Sequence, residues 1–267
     1  MLTQNPSYHK IRKWVYDKSG IVFGEQKTDL LNQRLSRVLT ARQFENLDEL
    51  AEHLFSDRDA GLQLEILDAV STNHTYFFRE PEVLNAFVDR ILPMYQDRSE
   101  IKIWSAAASS GDEAYSLAIL IAEKLGAGAL GKLNILGTDI SQKMIEKAEQ
   151  GIYNMRQLDR TPPQILQKYF RRYDDENYQV IPELRRVCTF RRLNLKAQPY
   201  PFSGTFPIIL CRNVFYYFDI EAQTSVANAL YNSTEPGGFL MTSVTESVGN
   251  LATPWQRFEA GIYRKGP

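Results

Sequence analysis

A buried strand, a loop of small residues and an apolar helix follow one another between residues 101 and 120, in the segment IKIWSAAASSGDEAYSLAIL. A second apolar strand, LNILGTD at 133–139, is again followed by a helical pattern, which begins at Ser141. Strands that alternate with amphipathic helices are typical of βαβ units on a parallel sheet. We therefore predict an α/β fold, in which ligands bind beyond the carboxyl ends of the strands.

The same pattern continues to the end of the chain. Predicted strands lie at 101–107, 133–139, 187–194, 206–212, 239–246 and 258–264, and predicted helices follow at 112–125, 141–150 and 219–232. The last two strands are joined by SVGNLATPWQR, which lacks the pattern of a crossover helix, so they could pair antiparallel. Residues 1 to about 90, in contrast, have apolar residues at helical spacing throughout.

The connection between Asp139 and Asn194 is longer than a single helix requires, at about 55 residues. Alternation and turn residues in RRYDDENYQVIPELRRVCTFRRLN indicate a small antiparallel excursion. Its arginine pairs, at 171/172, 185/186 and 191/192, are most simply solvated strand faces. Docking of an acidic partner is the alternative for these pairs.

Composition argues against several functional classes. The 267 residues carry a net charge of −1, so no overall field attracts nucleic acid or an acidic membrane. No apolar run reaches the roughly 18 residues of a transmembrane helix, and the first residues lack the apolar core of a signal peptide. The three histidines and two cysteines have no metal-ligand spacing, so we expect no metal and a reduced, cytoplasmic protein.

The loop after the first predicted strand favours a ligand without phosphate. A dinucleotide fold would show G-x-G-x-x-G, whereas AAASSG has only Gly111 and is followed by Asp112 and Glu113, whose charges repel phosphate. S-adenosylmethionine carries a sulfonium and an amino group, and Glu113 is the first candidate to attract it. The alternative is that both acids only complement the helix dipole. A nicotinamide-dependent oxidoreductase is the rival class, and it predicts the missing glycine-rich loop.

Two further strand ends carry candidate ligand contacts. Asp139 ends the second predicted strand, where a carboxylate can bind a ribose diol. Asn213 follows the fourth strand and either bonds the ligand or starts the next loop. Cys211, with no histidine near it in sequence, is expected to be a buried core residue rather than a nucleophile.

Four segments together resemble the chemotaxis receptor methyltransferases of the CheR type. STNHTYFFRE at 71–80 is similar to the family's T-N-x-T-x-F-F-R-E segment, and WSAAASSGDEAYSLA at 104–118 to its W-S-A-A-(A/C)-S-x-G-x-E-x-Y-S-(I/L)-A motif. GTDIS at 137–141 is similar to the family's acidic strand end, and CRNVFYYFD at 211–219 to its C-R-N-V-x-x-Y-F segment. The order of the four is the same as in the family, and they span most of the chain.

The resemblance implies an architecture. An all-helical receptor-recognition domain would occupy 1–85 and a linker 86–98, and a Rossmann-like S-adenosylmethionine-dependent methyltransferase domain would occupy 99–267, with a small antiparallel β-subdomain at about 168–192. Some relatives tether a receptor's C-terminal pentapeptide through a glycine-containing loop of this subdomain. RRYDDENYQV has no glycine, which puts such tethering in doubt here.

The resemblance also implies site residues, by motif position. The cofactor-binding residues are Asn73, Thr75, Arg79, Glu113, Asp139, Asn194, Leu195, Asn213 and Val214. TSVTESVG, late in the chain, only loosely matches the family's G-H-S-E segment, and no role is transferred to it. Positions 112 and 114 are Asp and Ala where many relatives have Glu and Pro, and both departures are mild.

The implied reaction transfers the sulfonium methyl group to the γ-carboxylate of receptor glutamates and forms methyl esters. Such a carboxylate is ionised at pH 7, because its reference pKa is about 4.3, so no general base is required. Arg79 and Tyr217 are the catalytic candidates: a guanidinium can hold the substrate or cofactor carboxylate, and a phenol can orient the substrate. The alternatives are an ion pair of Arg79 with Glu80 or Glu82 and aromatic packing of Tyr217.

Basic residues in the N-terminal helical part of the chain are candidates for docking an acidic partner. From Lys10 to Arg42 there are eight Lys or Arg against three Asp or Glu. Lys27, Arg34 and Arg37 share a broad helical face, which would complement the acidic cytoplasmic coiled coil of chemoreceptors. A solvated face is the alternative for these charges. For the whole chain, the alternative is a non-catalytic nucleoside sensor or a scaffold of a receptor array.

Overall fold

The structure is a computed structural model that describes residues 5–56 and 59–267. The α-helices in this part of the chain are α1 Pro6–Ser19, α2 Thr28–Arg42, α3 Leu47–Phe55, α4 Ala60–Val70, α5 Pro81–Ala86, α6 Asp112–Leu125, α7 Gln142–Gln150, α8 Met155–Leu158, α9 Pro163–Tyr169, α10 Pro182–Val187 and α11 Ile220–Ser233. The strands are β1 Ile101–Ala106, β2 Leu133–Asp139, β3 Ile152–Asn154, β4 Phe170–Arg172, β5 Asn177–Val180, β6 Cys188–Arg192, β7 Phe206–Cys211, β8 Thr234–Met241, β9 Gln256–Glu259 and β10 Ile262–Arg264.

Helices α1 to α4 pack around a core of their own. Leu31 and Leu35 of α2, four residues apart on one face, are fully buried together with Leu62 of α4. The Asn46 side chain accepts the backbone N–H groups of the first turn of α3, which caps that helix. Gly20, with φ 75°, ends α1 in the left-handed conformation that glycine adopts without strain.

The large sheet has the strand order β6-β2-β1-β7-β8-β10-β9. Strands β6, β2, β1, β7 and β8 are parallel to their neighbours, whereas β10 is antiparallel to β8 and to β9. From β1 the chain proceeds outward through β2 and β6, and then crosses to β7 and β8 on the other side. The reversal of strand order therefore lies between β1 and β7, which is where open α/β sheets bind ligands.

Both faces of the large sheet are covered, so its central strands are apolar on both sides. Ile103 of β1 lies in the core under α6, while the next residue, Trp104, lies in the core under α11. Neighbouring residues of a strand point to opposite faces, which explains why IKIWSA has no polar alternation. The α/β prediction and the antiparallel pairing at the end of the chain are confirmed.

A second, three-stranded sheet with the order β3-β5-β4 is fully antiparallel. It lies in the connection between β2 and β6, as the excess length predicted. Its strand β3, at Ile152–Asn154, precedes the predicted segment 168–192, and β6 at the end of that segment joins the large sheet instead. Five of the six paired arginines in the connection are exposed, and Arg172 and Arg186 form surface ion pairs. These exposures match the solvated-face interpretation.

The predicted bounds of the last two strands are wrong. Strand β8 begins at Thr234 and ends at Met241, so it includes the segment 235–238, which the predicted strand 239–246 leaves out. Gly237, with φ 75°, and a register shift against β7 accommodate it as an irregularity. The predicted strand 258–264 is interrupted by a turn at Gly261, with φ 70°, and forms the two strands β9 and β10.

Candidate functional site

One crevice opens at the carboxyl ends of β2, β1 and β7 and encloses about 970 Å³, counting the part open to solvent. All nine residues predicted to bind the cofactor, and Tyr217, line it: Asn73, Thr75, Arg79, Glu113, Asp139, Asn194, Leu195, Asn213, Val214 and Tyr217. These residues come from five separate parts of the chain. The structure therefore brings the predicted set together around one site, while the binding role of each residue stays a prediction.

The loop after β1 is shaped by backbone conformation as well as by small side chains. Ala107 and Ser109 have positive φ angles of 66° and 49°, and Gly111 has 87°. A Cβ atom at Gly111 would lie 2.9 Å from Ala148 Cβ and 3.0 Å from Phe190 Cζ, closer than such atoms pack. The single glycine of this loop is therefore required for the close packing of α6 against its neighbours, not for binding a phosphate.

Asp139, at the end of β2, holds this loop and lines the crevice. Its Oδ2 accepts the Ser109 N–H at 2.9 Å and its Oδ1 accepts the Ser141 N–H at 2.9 Å. Burial raises the pKa of Asp139 to about 6, although these two backbone hydrogen bonds lower it. Since an ionised carboxylate has about four acceptor sites, Asp139 can still accept hydroxyl groups of a ligand.

Glu113 belongs to a buried ion network. Arg212 donates from its two terminal nitrogens to Glu113 Oε2 at 2.9 Å and to Glu80 Oε2 at 3.2 Å, and its side chain is only 3% exposed. Glu113 Oε1 accepts the Ser105 hydroxyl at 2.7 Å. The network retains one net negative charge at the crevice, because two carboxylates share one guanidinium.

Asp112 does not contribute to this charge. It is fully buried behind the loop, its Oδ2 accepts the Ser110 hydroxyl at 2.6 Å, and burial raises its pKa. Of the two acids at the start of α6, only Glu113 lines the crevice.

Glu246 is a residue of the site that the sequence analysis missed. Its Oε2 accepts the Asn213 N–H at 2.7 Å and its Oε1 accepts the Phe215 N–H at 2.8 Å. Asn213 has a positive φ of 59°, and its side chain donates to Glu80 Oε1 at 2.8 Å. The buried Glu246 carboxylate thus fixes the loop after β7, which supplies Asn213, Val214 and Tyr217 to the crevice. The loosely matching segment TSVTESVG was the available signal.

The segment before α5 forms the rim of the crevice. Arg79 donates to the His74 carbonyl at 2.8 Å, and its guanidinium lies 5.8 Å from the centre of the Tyr76 ring. Glu80, with φ 53°, directs its carboxylate to Arg212, so the predicted alternative of an Arg79–Glu80 ion pair is not formed. Arg79 therefore keeps its donors available at the rim.

The N-terminal helical region contributes a wall that the sequence analysis did not predict. Ser19, the last residue of α1, and Ile21, which follows the helix, line the crevice. Val22 N–H donates to the Tyr217 carbonyl at 2.8 Å, and the Asn194 amide donates to the Lys18 carbonyl at 2.5 Å. The loops after β6 and β7 are therefore both bonded to the end of α1.

The three basic residues predicted to face a receptor have different surroundings. Lys27 and Arg37 are exposed. Arg34 instead donates to the Val70 carbonyl and, at 2.7 Å, to the Thr72 hydroxyl, and burial lowers its pKa. Arg34 thus fastens α2 to the segment that leads into the crevice. Lys27, although exposed, has its ammonium 5.9 Å from the centre of the Tyr217 ring.

Comparison with known proteins gives the family. The family model described as the CheR methyltransferase SAM binding domain matches residues 73–263, and the model of the CheR methyltransferase all-alpha domain matches residues 6–71. The chain belongs to the CheR methyltransferase family. The recognition made from the four sequence segments is thereby confirmed.

CheR relatives match this chain over most of their length. A chemotaxis protein methyltransferase of Borreliella burgdorferi is 34% identical over 246 residues, which cover 90% of this chain and 87% of that protein. One of Vibrio parahaemolyticus is 34% identical over 264 residues, or 97% and 96% of the two chains. One of Escherichia coli is 32% identical over 247 residues, or 91% and 85%.

The CheR domain binds S-adenosylmethionine, and the residues of this crevice fit that cofactor. Asp139 retains acceptor sites for a ribose diol, and Ile140, Leu193 and Leu195 supply apolar surface for a base. The net negative charge around Glu113 suits a sulfonium and an amino group. The loop after β1 presents no glycine-rich cradle for phosphate.

Two further observations concern metals and membranes. Among the described residues, no group of three or more His, Cys, Asp or Glu is arranged to hold a metal ion. No helix in the described part of the chain is long and apolar enough to cross a bilayer. Cys188 and Cys211 are free and buried, and burial raises the pKa of both thiols, so the expectation of Cys211 as a core residue is confirmed.

Proposed function

We propose that this chain transfers the methyl group of S-adenosylmethionine to the γ-carboxylate of glutamates on chemoreceptors and forms methyl esters during chemotactic adaptation. The observation that carries the proposal is the convergence on one crevice of all ten predicted residues, eight of which belong to the four motifs. The relatives support it, because they are chemotaxis protein methyltransferases. The proposed site of action is the cytoplasm, on the coiled-coil domain of the receptors.

When bound, the cofactor supplies an electrophilic methyl group on a sulfonium. The protein would bind it through Asp139 on the ribose, Glu113 on the cationic end, and the apolar surface beside Leu195 on the base. The carboxylate substrate is already ionised at pH 7, so the work of the protein is alignment and exclusion of water. Alignment of the reacting groups can contribute roughly 7 to 11 kcal/mol.

Arg79 and Tyr217 are the proposed catalytic residues. Arg79 lies at the rim with no carboxylate partner among the described residues, and a guanidinium can bind a carboxylate through two parallel hydrogen bonds. Tyr217 lines the crevice, with its backbone fixed by Val22 and, through the loop, by Glu246. Its ring packs against Tyr216, 4.4 Å between centres, which limits the positions of its hydroxyl.

Receptor docking is proposed on α2 and the residues before it. Lys27 and Arg37 would contact the acidic coiled coil, and exposed charges of this kind act mainly on encounter and register. Arg34 belongs to the same proposed face, but its bonds to Val70 and Thr72 make it a link between that face and the crevice.

Transfer of label from S-adenosylmethionine tests the proposal. The wild-type protein is incubated with a radiolabelled methyl donor and receptor-rich membranes, and base-labile label is counted on the receptor. We expect ester label with the wild type and less than a hundredth of it with Asp139→Ala at limiting donor. Binding of S-adenosylhomocysteine without any transfer of label would reject the proposal in favour of a non-catalytic nucleoside sensor.

A further inference from the structure

A second guanidinium stands at the rim of the crevice and belongs to none of the predicted motifs. Arg160 lies between α8 and α9, in the connection that carries the small sheet, and is exposed. Its guanidinium lies 4.4 Å from the centre of the Tyr76 ring, the same ring that Arg79 approaches at 5.8 Å. Tyr76 itself lines the crevice. Two arginines, 81 positions apart in sequence, therefore share one aromatic ring at the rim.

Neither guanidinium is neutralised within the part of the chain that the structure describes. No ion pair joins Arg79 or Arg160 to a carboxylate within 4.0 Å. Arg160 donates no hydrogen bond to a described residue, and the nearby Glu80 carboxylate is bound by Arg212. An anion that reaches both guanidiniums beside this ring would be attracted by two positive charges.

Packing of the neighbouring segments restricts the position of Arg160, although its side chain is exposed. Phe77, next to Tyr76, packs edge-on against Tyr153 of β3 at 4.8 Å and against Phe170 of β4 at 5.2 Å. The rim segment and the small sheet are thereby locked together. Stacking on Tyr76 restricts the Arg160 side chain further, which lowers the entropy that it loses when it binds an anion.

We propose that Arg160 is a specificity-determining residue that binds a carboxylate of the substrate next to the one that is methylated. This proposal rests on the proposed function, and it gives the small sheet a part in substrate recognition that needs no tethered pentapeptide. On a helical substrate, acidic residues three or four positions apart lie about 5 to 6 Å from each other between Cβ atoms, so one can contact Arg79 while another contacts Arg160. A substrate glutamate with a second acid one turn away is therefore the preferred sequence.

Steady-state kinetics with a receptor fragment tests the role of Arg160. We expect Arg160→Ala to raise KM for the receptor about three- to tenfold, which is the range for loss of one exposed ion pair of favourable geometry. The kcat and the Kd of S-adenosylhomocysteine should stay unchanged. Arg160→Lys restores less than half of the loss, because lysine lacks the planar fork. Arg156→Ala is the matched control, since Arg156 is exposed in the same connection and forms no hydrogen bond or ion pair with a described residue. We expect its KM to stay within a factor of two of the wild-type value.

The substrate supplies the complementary test. When the acid one turn from the methylated glutamate is replaced by glutamine, we expect the KM of the wild type to rise. The KM of Arg160→Ala should not rise further with this substrate. An unchanged KM for Arg160→Ala, or an equal rise in KM and in the Kd of S-adenosylhomocysteine, would overturn the role of Arg160. If the wild type esterifies receptors, either of these results leaves the proposed function standing. If the wild type transfers no methyl group, the proposed function and the role of Arg160 are both rejected.

Discussion

The cofactor side and the rim of the crevice differ in how their charged groups are paired. On the cofactor side, Arg212 is bound by Glu80 and Glu113, and Asp139 and Glu246 each accept backbone N–H groups. At the rim, Arg79 and Arg160 stand near one ring without carboxylate partners in the described chain. The charged groups of the cofactor side thus have partners within the chain, while the two guanidiniums at the rim are available to the acidic partner that we propose.

The largest effect is expected when Arg212, the central cation of the cofactor side, is removed. Arg212→Met removes a buried guanidinium and leaves two largely buried carboxylates without their partner, and loss of one member of a buried ion network costs about 3 to 5 kcal/mol. We expect a fall in Tm of roughly 6 to 20 °C, measured by calorimetry. Arg98→Met is the control, because the Arg98–Glu235 pair is at the surface and contributes about 0 to 1 kcal/mol. Equal shifts for the two variants would contradict the distinction.

A smaller effect is expected from the carboxylate that fixes the loop after β7. In Glu246→Gln one acceptor oxygen becomes an NH₂ donor that faces backbone N–H groups, which costs about 1 to 3 kcal/mol. The displaced loop should weaken S-adenosylhomocysteine binding and lower kcat together, as titration and initial rates would show. The exposed Glu221→Gln serves as control. A loss of Tm with both functional readouts intact would mean that Glu246 stabilises the fold without positioning the site.

The raised pKa of Asp139 predicts a pH dependence on the cofactor side alone. Because ribose hydroxyls bind the ionised form, affinity for S-adenosylhomocysteine should be constant above the pKa of about 6 and fall towards tenfold per pH unit below it. Folding stability responds to pH in the opposite direction. Because the pKa of Asp139 is raised in the folded protein, ionisation of this carboxyl lowers the free energy of unfolding of the ligand-free protein as pH rises through about 6. Calorimetric titration between pH 5 and 8 measures the first effect, and a flat profile would contradict it.

The smallest effect is expected at the outer surface. Arg37→Glu should raise KM for the receptor a few-fold at low salt, with less effect at high salt, because exposed charges are screened. Cofactor affinity should not change, since Arg37 does not line the crevice. Lys143→Glu, an exposed charge reversal on α7 and outside the basic region from Lys10 to Arg42, is the control. A salt-independent rise in KM would show that Arg37 acts through the fold rather than through charge.

The same contrast explains how much could be predicted from the sequence. Continuous apolar segments predicted the central strands, and the four motifs predicted residues that the fold brings to one crevice. The contacts that hold these residues in place were not predictable. Arg212 binds Glu80, 132 positions away in sequence, and no periodic pattern indicates such a polar pair. Ser19 and Ile21 were missed for a similar reason, since the end of a helix and the residues next to it carry no signal for a distant crevice. The first half of β8 was not predicted as a strand, because Pro236, Gly237 and Gly238 are residues typical of turns.

The central claim is that Asp139 binds the nucleoside of the methyl donor, and titration of S-adenosylhomocysteine into the wild type and Asp139→Ala tests it most directly. Two hydroxyl groups on one carboxylate contribute about 1.5 to 3 kcal/mol each, so the variant should bind roughly 100-fold more weakly or worse. Asp175→Ala, which removes a fully exposed acid far from the crevice, should bind like the wild type. A Kd for Asp139→Ala within threefold of the wild-type value would contradict the account.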